Sequence, residues 1–376
     1  MLGKDFHPAP RPTAGARRPG LQGLRACVAM VHHPRPLCRD PGPFACKEAR
    51  KRAKDPSYPS RIPRPGAHDD KVEGKTMKKV LFATTALVAS AGMAAADVSF
   101  GGYGRFGILY VENAAQETRI ESRFRLNIDA TATADNGLEF SARVRMQADD
   151  TGGGGATTAG LNGARFGVAY EGLSVQVGNI AGVYDSQAGQ YDQSLGLSGL
   201  GWHNHVANSA VNGYFAFDTY ASTGAGRNGV RLAYAMGDFS MIASYSDLGG
   251  LERTSLGGSY SFNDWAVHLG WQDSSIDTED KISLIVQGDL GPASVTFKAA
   301  DNDGEQKFVI GGDFEAGAAT TISAYYANDE EVGGVGGDSY GVGFVHDLGG
   351  GTSIRGGVVD QWNDVITADL GLQFNF

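Results

Sequence analysis

Beyond residue 76 the chain has no cysteine and a single proline, Pro292; the other 12 prolines and all 3 cysteines lie in the first 76 residues. No disulfide framework is therefore available to the rest of the chain. Long apolar runs are missing as well: nothing approaches the ~18 consecutive apolar residues of a membrane-spanning helix. Basic side chains are scarce. From 97 to 376 there are 14 Lys+Arg against 35 Asp+Glu, a net charge of −21. That balance argues against a nucleic-acid partner, whose phosphates need Lys/Arg neutralisation.

What is present falls into three unlike texts. Residues 1–76 carry Pro/Arg runs such as RPTAGARRPG and the basic stretch KEARKRAK, with neither alternation nor helical spacing. Such a segment cannot bury a core, and its composition predicts disorder. Met77 then opens MKKVLFATTALVASAGMAAA over 77–96. Lys78 and Lys79 form a basic n-region, Val80–Ser90 an apolar h-region, and Ala94-Ala95-Ala96 a small-residue cleavage site. This is the layout of a secretory signal peptide, and its apolar part is too short to span a bilayer. Because a signal peptide must stand at an N-terminus, Met77 is read as the true start and residues 1–76 as a mis-called extension.

Residues 97–376 alternate. In the closing segment Ile366–Phe376 the apolar residues occupy every even position, and Thr, Asp, Gly, Gln and Asn the odd ones. Period two of this regularity predicts a strand with one apolar and one wet face, and eleven residues suit a tilted strand crossing a membrane. Ile120, Phe124, Leu126 and Ile128 alternate with charged and polar residues in the same way; after the turn Ala134-Asp135-Asn136-Gly137, so do Leu138, Phe140, Ala142, Val144 and Met146. Further pairs turn at Glu171-Gly172, Gly237-Asp238, Asn263-Asp264, Gly291-Pro292, Ala316-Gly317 and Gly349-Gly350. Longer polar links, such as Asp273–Asp280 and Asn328–Asp338, separate them.

The count comes to about sixteen strands, including 253–262, 319–328 and 336–348. Short turns alternating with longer loops predict an all-β transmembrane antiparallel β-barrel. About sixteen strands close a ring too wide for side chains to fill, leaving an aqueous lumen. A soluble sandwich is the bland alternative. The signal peptide, the aromatic strand ends (Tyr110, Tyr170, Tyr234, Tyr245, Trp265, Trp271) and a strand running to the last residue count against it.

The opening VSFGGYGRFGILYV, the hairpin SRFRLNIDATATADNGLEFSARVR and the closing ADLGLQFNF resemble the general porins of Gram-negative bacteria, in particular those of Rhodobacter-type alphaproteobacteria. The resemblance covers 97–376. It implies a homotrimeric porin in the outer membrane, with a third external loop folded into the lumen. The implied function is passive diffusion of small hydrophilic solutes and ions through a water-filled channel, with no cofactor and no enzymatic activity. The terminal Phe376 on an alternating strand also resembles the signal read by outer-membrane assembly machinery.

Parity places Arg105, Arg119, Arg123, Arg125, Arg143, Arg145, Arg165, Arg231, Lys281, Lys298, Lys307 and Arg355 on the wet face. A cation aimed at lipid mid-plane costs about 2–4 kcal/mol, which accounts for each one singly. It does not account for seven arginines crowding the first four strands. In the family, carboxylates of the inward loop oppose arginines across a constriction. By that resemblance Arg123, Arg125, Arg143 and Arg145 are the expected basic wall. Asp185 and Asp192, in the long link 180–227, are the expected acidic side; Asp218 is the link's remaining acid. The link is otherwise rich in Gly, Ser, Gln and Asn.

Other motifs carry less. His203-x-His205 has metal-ligand spacing but no cysteine or nearby carboxylate to complete a site. Asp301-Asn302-Asp303-Gly304-Glu305 resembles a calcium loop without its downstream bidentate glutamate. The acidic links around Asp277 to Asp280 and Asp329 to Glu331 could bind divalent cations and, through them, lipopolysaccharide. Two other functions stay open: a barrel hydrolase using His268 or His346 with a serine, and a plugged adhesin or anchor. The strand aromatics fall mainly on the lipid-facing parity, Tyr103 and Tyr325 excepted, so general diffusion is favoured over a sugar-selective pore.

Overall fold

The computed structural model describes residues 96–150, 159–213, 215–277 and 280–376. The extension before Met77 and all of the predicted leader but Ala96 lie outside these residues. Sixteen strands follow one another: β1 Asp97–Val111, β2 Thr118–Thr133, β3 Glu139–Asp149, β4 Arg165–Tyr170, β5 Leu173–Asn179, β6 Asn228–Met236, β7 Phe239–Leu248 and β8 Leu251–Phe262. After them come β9 Trp265–Ser274, β10 Lys281–Leu290, β11 Ala293–Asn302, β12 Gln306–Glu315, β13 Thr320–Val332, β14 Val335–Gly349, β15 Thr352–Asp360 and β16 Ile366–Asn375. One short helix, α1 Val183–Ser186, interrupts the β5–β6 link.

Each strand pairs with its sequence neighbours, and β1 pairs antiparallel with β16 to close the barrel. The seam runs in register from Tyr103 opposite Asn375 to Val111 opposite Thr367. The last residue finishes it: Gly102 donates to the Phe376 carbonyl at 2.9 Å, and the Phe376 amide donates back at 3.1 Å. The Phe376 ring stacks on Phe124 at 5.6 Å.

Burial is inverted relative to a water-soluble fold. On β16, Leu370 is 56% exposed while Asp369 beside it is 6% exposed. On β12, Phe308 and Ile310 are exposed and Lys307 is fully buried. Only an apolar surround makes that arrangement stable, since an exposed Leu or Ile gains its transfer free energy only in lipid. The period-two pattern of the sequence is therefore read with its apolar face outward.

Strand ends differ from the sequence expectation mainly in one hairpin. The polar stretch 328–338 is not a loop: β13 continues to Val332, Gly333-Gly334 makes the turn, and β14 begins at Val335. Polar residues here extend the ladder past the apolar band, where no lipid imposes alternation. One end of the barrel carries tight connections throughout, from 134–138 to 350–351. The long links 150–164 and 180–227 both leave from the other end.

Candidate functional site

The 180–227 link packs against the wet face of the wall rather than away from the barrel. Its Leu195, Leu200 and Val206 form an apolar cluster with Leu109, Ile285, Ala300, Val309, Tyr325, Ala327 and Val359. Those wall residues stand at inward positions where polar groups are the rule. A second cluster, Tyr184, Ala207 and Phe217 with Phe215 against it, gives the link a small core of its own. Inward glycines leave room for this. A Cβ at Gly257 would lie 2.6 Å from Val183, and one at Gly311 would lie 2.7 Å from the Gln193 side chain.

Polar side chains then bind the link's backbone. Lys298 donates to the carbonyls of Asn204 (2.8 Å), Asp192 (3.2 Å) and Gln190 (3.4 Å). Lys307 donates to the Asn208 carbonyl at 2.8 Å and to Asp329 at 3.1 Å. Asn302 reaches the Val206 carbonyl and Gln272 the Ala216 carbonyl. Asp369 accepts from the amides of Leu197 (2.8 Å) and Ser198 (2.7 Å), and from the Ser198 hydroxyl. Gly196 permits that cradle: its φ is 74°, and a Cβ there would meet Asp369 Oδ1 at 2.1 Å. Buried Asp218 pairs with Arg253 at 3.2 Å and Arg227 at 3.4 Å. A link otherwise poor in secondary structure thus has its buried carbonyls satisfied by fixed side chains, as burial demands.

Between the link and the β1–β3 side of the wall lies a cavity of about 570 Å³. Arg105, Arg123, Arg125, Arg145 and Arg355 line it from the wall with Tyr103. Asp185, Tyr191, Trp202, Phe215, Tyr220 and Ser222 are among the link residues that face them. The guanidinium of Arg125 sits 5.1 Å from the Tyr103 ring centre; Arg145 and Arg165 each lie 4.7 Å from that of Tyr220. These are cation–π distances, and they hold the arginines side by side despite their like charge. Arg145 also donates to Asn127 (2.8 Å) and Ser222 (3.0 Å).

The expected constriction residues do not all meet here. Arg123, Arg125, Arg145 and Asp185 line the common cavity. Arg143 is paired with Asp129 on the neighbouring strand and is not part of the lining. Asp192 is turned to the opposite wall, its carboxylate accepting from Gln287. Burial there pushes the Asp192 carboxyl above its usual range, with Lys298 pulling the other way. Asp185 accepts from the Tyr191 hydroxyl and from the Tyr220 amide at 2.9 Å. Burial, and then Asp185, raises the Tyr191 phenol. Reasoning from the sequence missed Arg105, Arg355 and the link aromatics. The first two were visible in parity; the aromatics had no periodic signal.

The two loop histidines are packed, not aimed into the cavity. His205 is enclosed edge-on by Tyr191 at 4.7 Å and Trp202 at 5.0 Å, and it shares hydrogen bonds with Ser194 and Asn208. Burial and the nearby Lys298 and Lys307 hold its pKa well below that of a free imidazole, and burial lowers His203 to about 4. Among the described residues no group of three or more metal-ligating side chains occurs. His268 bridges Ser259 (2.8 Å) and Gln287 (2.9 Å).

The closed sixteen-stranded barrel with outward apolar residues and an inward-packed link is the architecture of a membrane-spanning β-barrel with a partly filled lumen. The family model for Gram-negative porins matches residues 83–364. The chain belongs to the Gram-negative porin family. It is similar to the porin of Fuscovulum blasticum, at 29% identity over 304 residues, covering 74% of this chain and 100% of that one. The porin of Rhodobacter capsulatus is 28% identical over 323 residues, again with 74% and 100% coverage. Among solved structures, a triple mutant of Rhodopseudomonas blastica porin superposes with a TM-score of 0.65 at 26% identity, over 74% of this chain and all of that one. Membership makes the protein a multi-pass outer-membrane channel for passive diffusion, and not an enzyme; the Ser259–His268 contact is a structural hydrogen bond in the wall.

Proposed function

We propose that small hydrophilic solutes and ions cross this porin through the cavity between the arginine wall and the 180–227 link, which acts as the third external loop folded inward. The observation that carries this reading is the convergence of Arg123, Arg125 and Arg145 with Asp185 on one polar passage. Opposed charges in a narrow frame with low-dielectric walls set up a transverse field; it orients polar solutes and disfavours apolar ones. Arg143 and Asp192 contribute from further back, Arg143 through its pair with Asp129 and Asp192 by holding the loop.

Single-channel recording tests this. Ser222→Trp, which places a bulky ring in the passage, is expected to lower conductance markedly. Unchanged conductance in that variant would remove the cavity from the solute path.

The reading extends to the rest of the chain as follows. Residues 77–96 serve as the export leader, and residues 1–76 are not part of the exported protein. Phe376, at the seam, serves as the assembly signal read in the outer membrane. The barrel assembles as a homotrimer. The acidic groups of its external rim, Asp277 on a link and Glu330 and Glu331 at the end of β13, bind divalent cations that bridge to lipopolysaccharide, while Asp329 is taken up by Lys307.

A further inference from the structure

We propose that the passage is anion-selective, and that the solutes it favours are small anions: halides, carboxylates and phosphates. The proposal deepens the diffusion-channel reading and rests on it. Composition alone points the other way, because the stretch from 97 to 376 carries a net charge of −21. The position of those charges reverses the expectation.

Five arginines line the cavity and one carboxylate, Asp185, does. Two of the five are compensated from behind. Arg105 is bound to Glu121 at 2.6 Å, and Arg123 to Asp149. Arg125, Arg145 and Arg355 are held instead by neutral groups: Gln147 and Ser222, Asn127 and Ser222, and Ser353 respectively. Among the described residues no carboxylate stands within ion-pair distance of these three.

Three further acids near the lumen are directed away from these arginines. Asp192 faces Gln287 and the Lys298 side of the loop, and Asp218 is consumed by Arg227 and Arg253. Asp369 is buried with both oxygens on loop amides. Asp185 is bound by neutral donors, the Tyr191 hydroxyl and the Tyr220 amide, and keeps its charge, one carboxylate against the three unpaired arginines. The narrow part of the lumen therefore keeps a net positive charge.

Location decides which charges an ion feels. Carboxylates on exposed links act through bulk electrolyte and fade over a Debye length of about 8–10 Å. Charges in a passage with low-dielectric walls are screened far less, and they act where every permeating ion must pass. The Tyr103 and Tyr220 rings under the guanidinium groups fix three of the arginines without neutralising them.

The test is a reversal-potential measurement on the purified outer-membrane form of the full barrel, in planar bilayers across a potassium chloride gradient. The wild type is expected to pass chloride over potassium. R125Q/R145Q is expected to reduce the chloride-to-potassium permeability ratio several-fold, and D185N to raise it. Should the double variant fail to insert, R355Q on the opposite side of the seam must move the ratio in the same direction. Potassium-selective steps from the wild type would overturn the proposal while leaving the channel intact, as would a ratio unchanged in conducting R125Q/R145Q. A wild type that inserts but shows no steps would overturn the channel reading and this one with it.

Discussion

His205 is closed in by two aromatic rings and sits near Lys298 and Lys307, so protonating it means placing a third cation in a dry site. His203 is in the same condition, with its pKa lowered to about 4. A histidine whose folded pKa is depressed contributes stability that is fully present above its unfolded pKa, about 6.5, and is lost as pH falls through the folded value. The link's packing is therefore expected to weaken on acidification from about pH 6.5 towards pH 4, read as growing open-channel current noise. His205→Gln should flatten the part of that dependence due to residue 205. At the same scale, Gly257 faces Val183 so closely that Gly257→Leu should displace α1. Overpacking of this kind costs about 1–3 kcal/mol; a raised channel conductance, with the barrel still resistant to denaturant, would register it.

Strands and the long link are held by different physics, and the sequence reveals them unequally. Lipid on one side and water on the other impose period two, so β1, β2, β3 and β16 could be read from their residues. Where the ladder leaves the bilayer the constraint lapses, and for that reason the 328–338 hairpin looked like a loop. The link has no period at all. Its wall contacts were legible only indirectly, through Leu109, Ile285, Val309, Ala327 and Val359, apolar residues at inward positions. Which of its acids would face the arginines was not legible, because Asp185 and Asp192 differ in neither type nor local pattern; hydrogen bonds to Tyr220 and Gln287 separate them. Lys298 is the element's central fastener. Lys298→Met removes the donor to three buried carbonyls, and each one left unsatisfied costs about 1–3 kcal/mol. The expected outcome is a folded barrel with larger, noisier single-channel conductance; steps like those of the wild type would show the link to be held without it.

On the scale of the whole molecule the barrel's stability depends on its outer band. Ile310 is 58% exposed in mid-strand, and Ile310→Arg is expected to cost about 2–4 kcal/mol, measurable as a lower denaturant midpoint for unfolding from lipid vesicles. The interior tolerates charge because it is wet and because many of its cations, Arg105, Arg145, Lys298 and Lys307 among them, are given oxygens or rings to rest on.

The register between Tyr103 and Asn375 has a consequence for the order of events in making this protein. The two strands that seal the cylinder are the first and the last along the chain, so no partial product can be a cylinder. Until β16 exists, β1 and β15 each present a free ladder edge, the template on which chains aggregate. Bringing ends this distant together costs about 5 kcal/mol in chain entropy from the length term alone, and the reward arrives only with the final residues. Closure is thus a late, all-or-none step, and a chain shortened by even its last strand is an open sheet rather than a smaller pore.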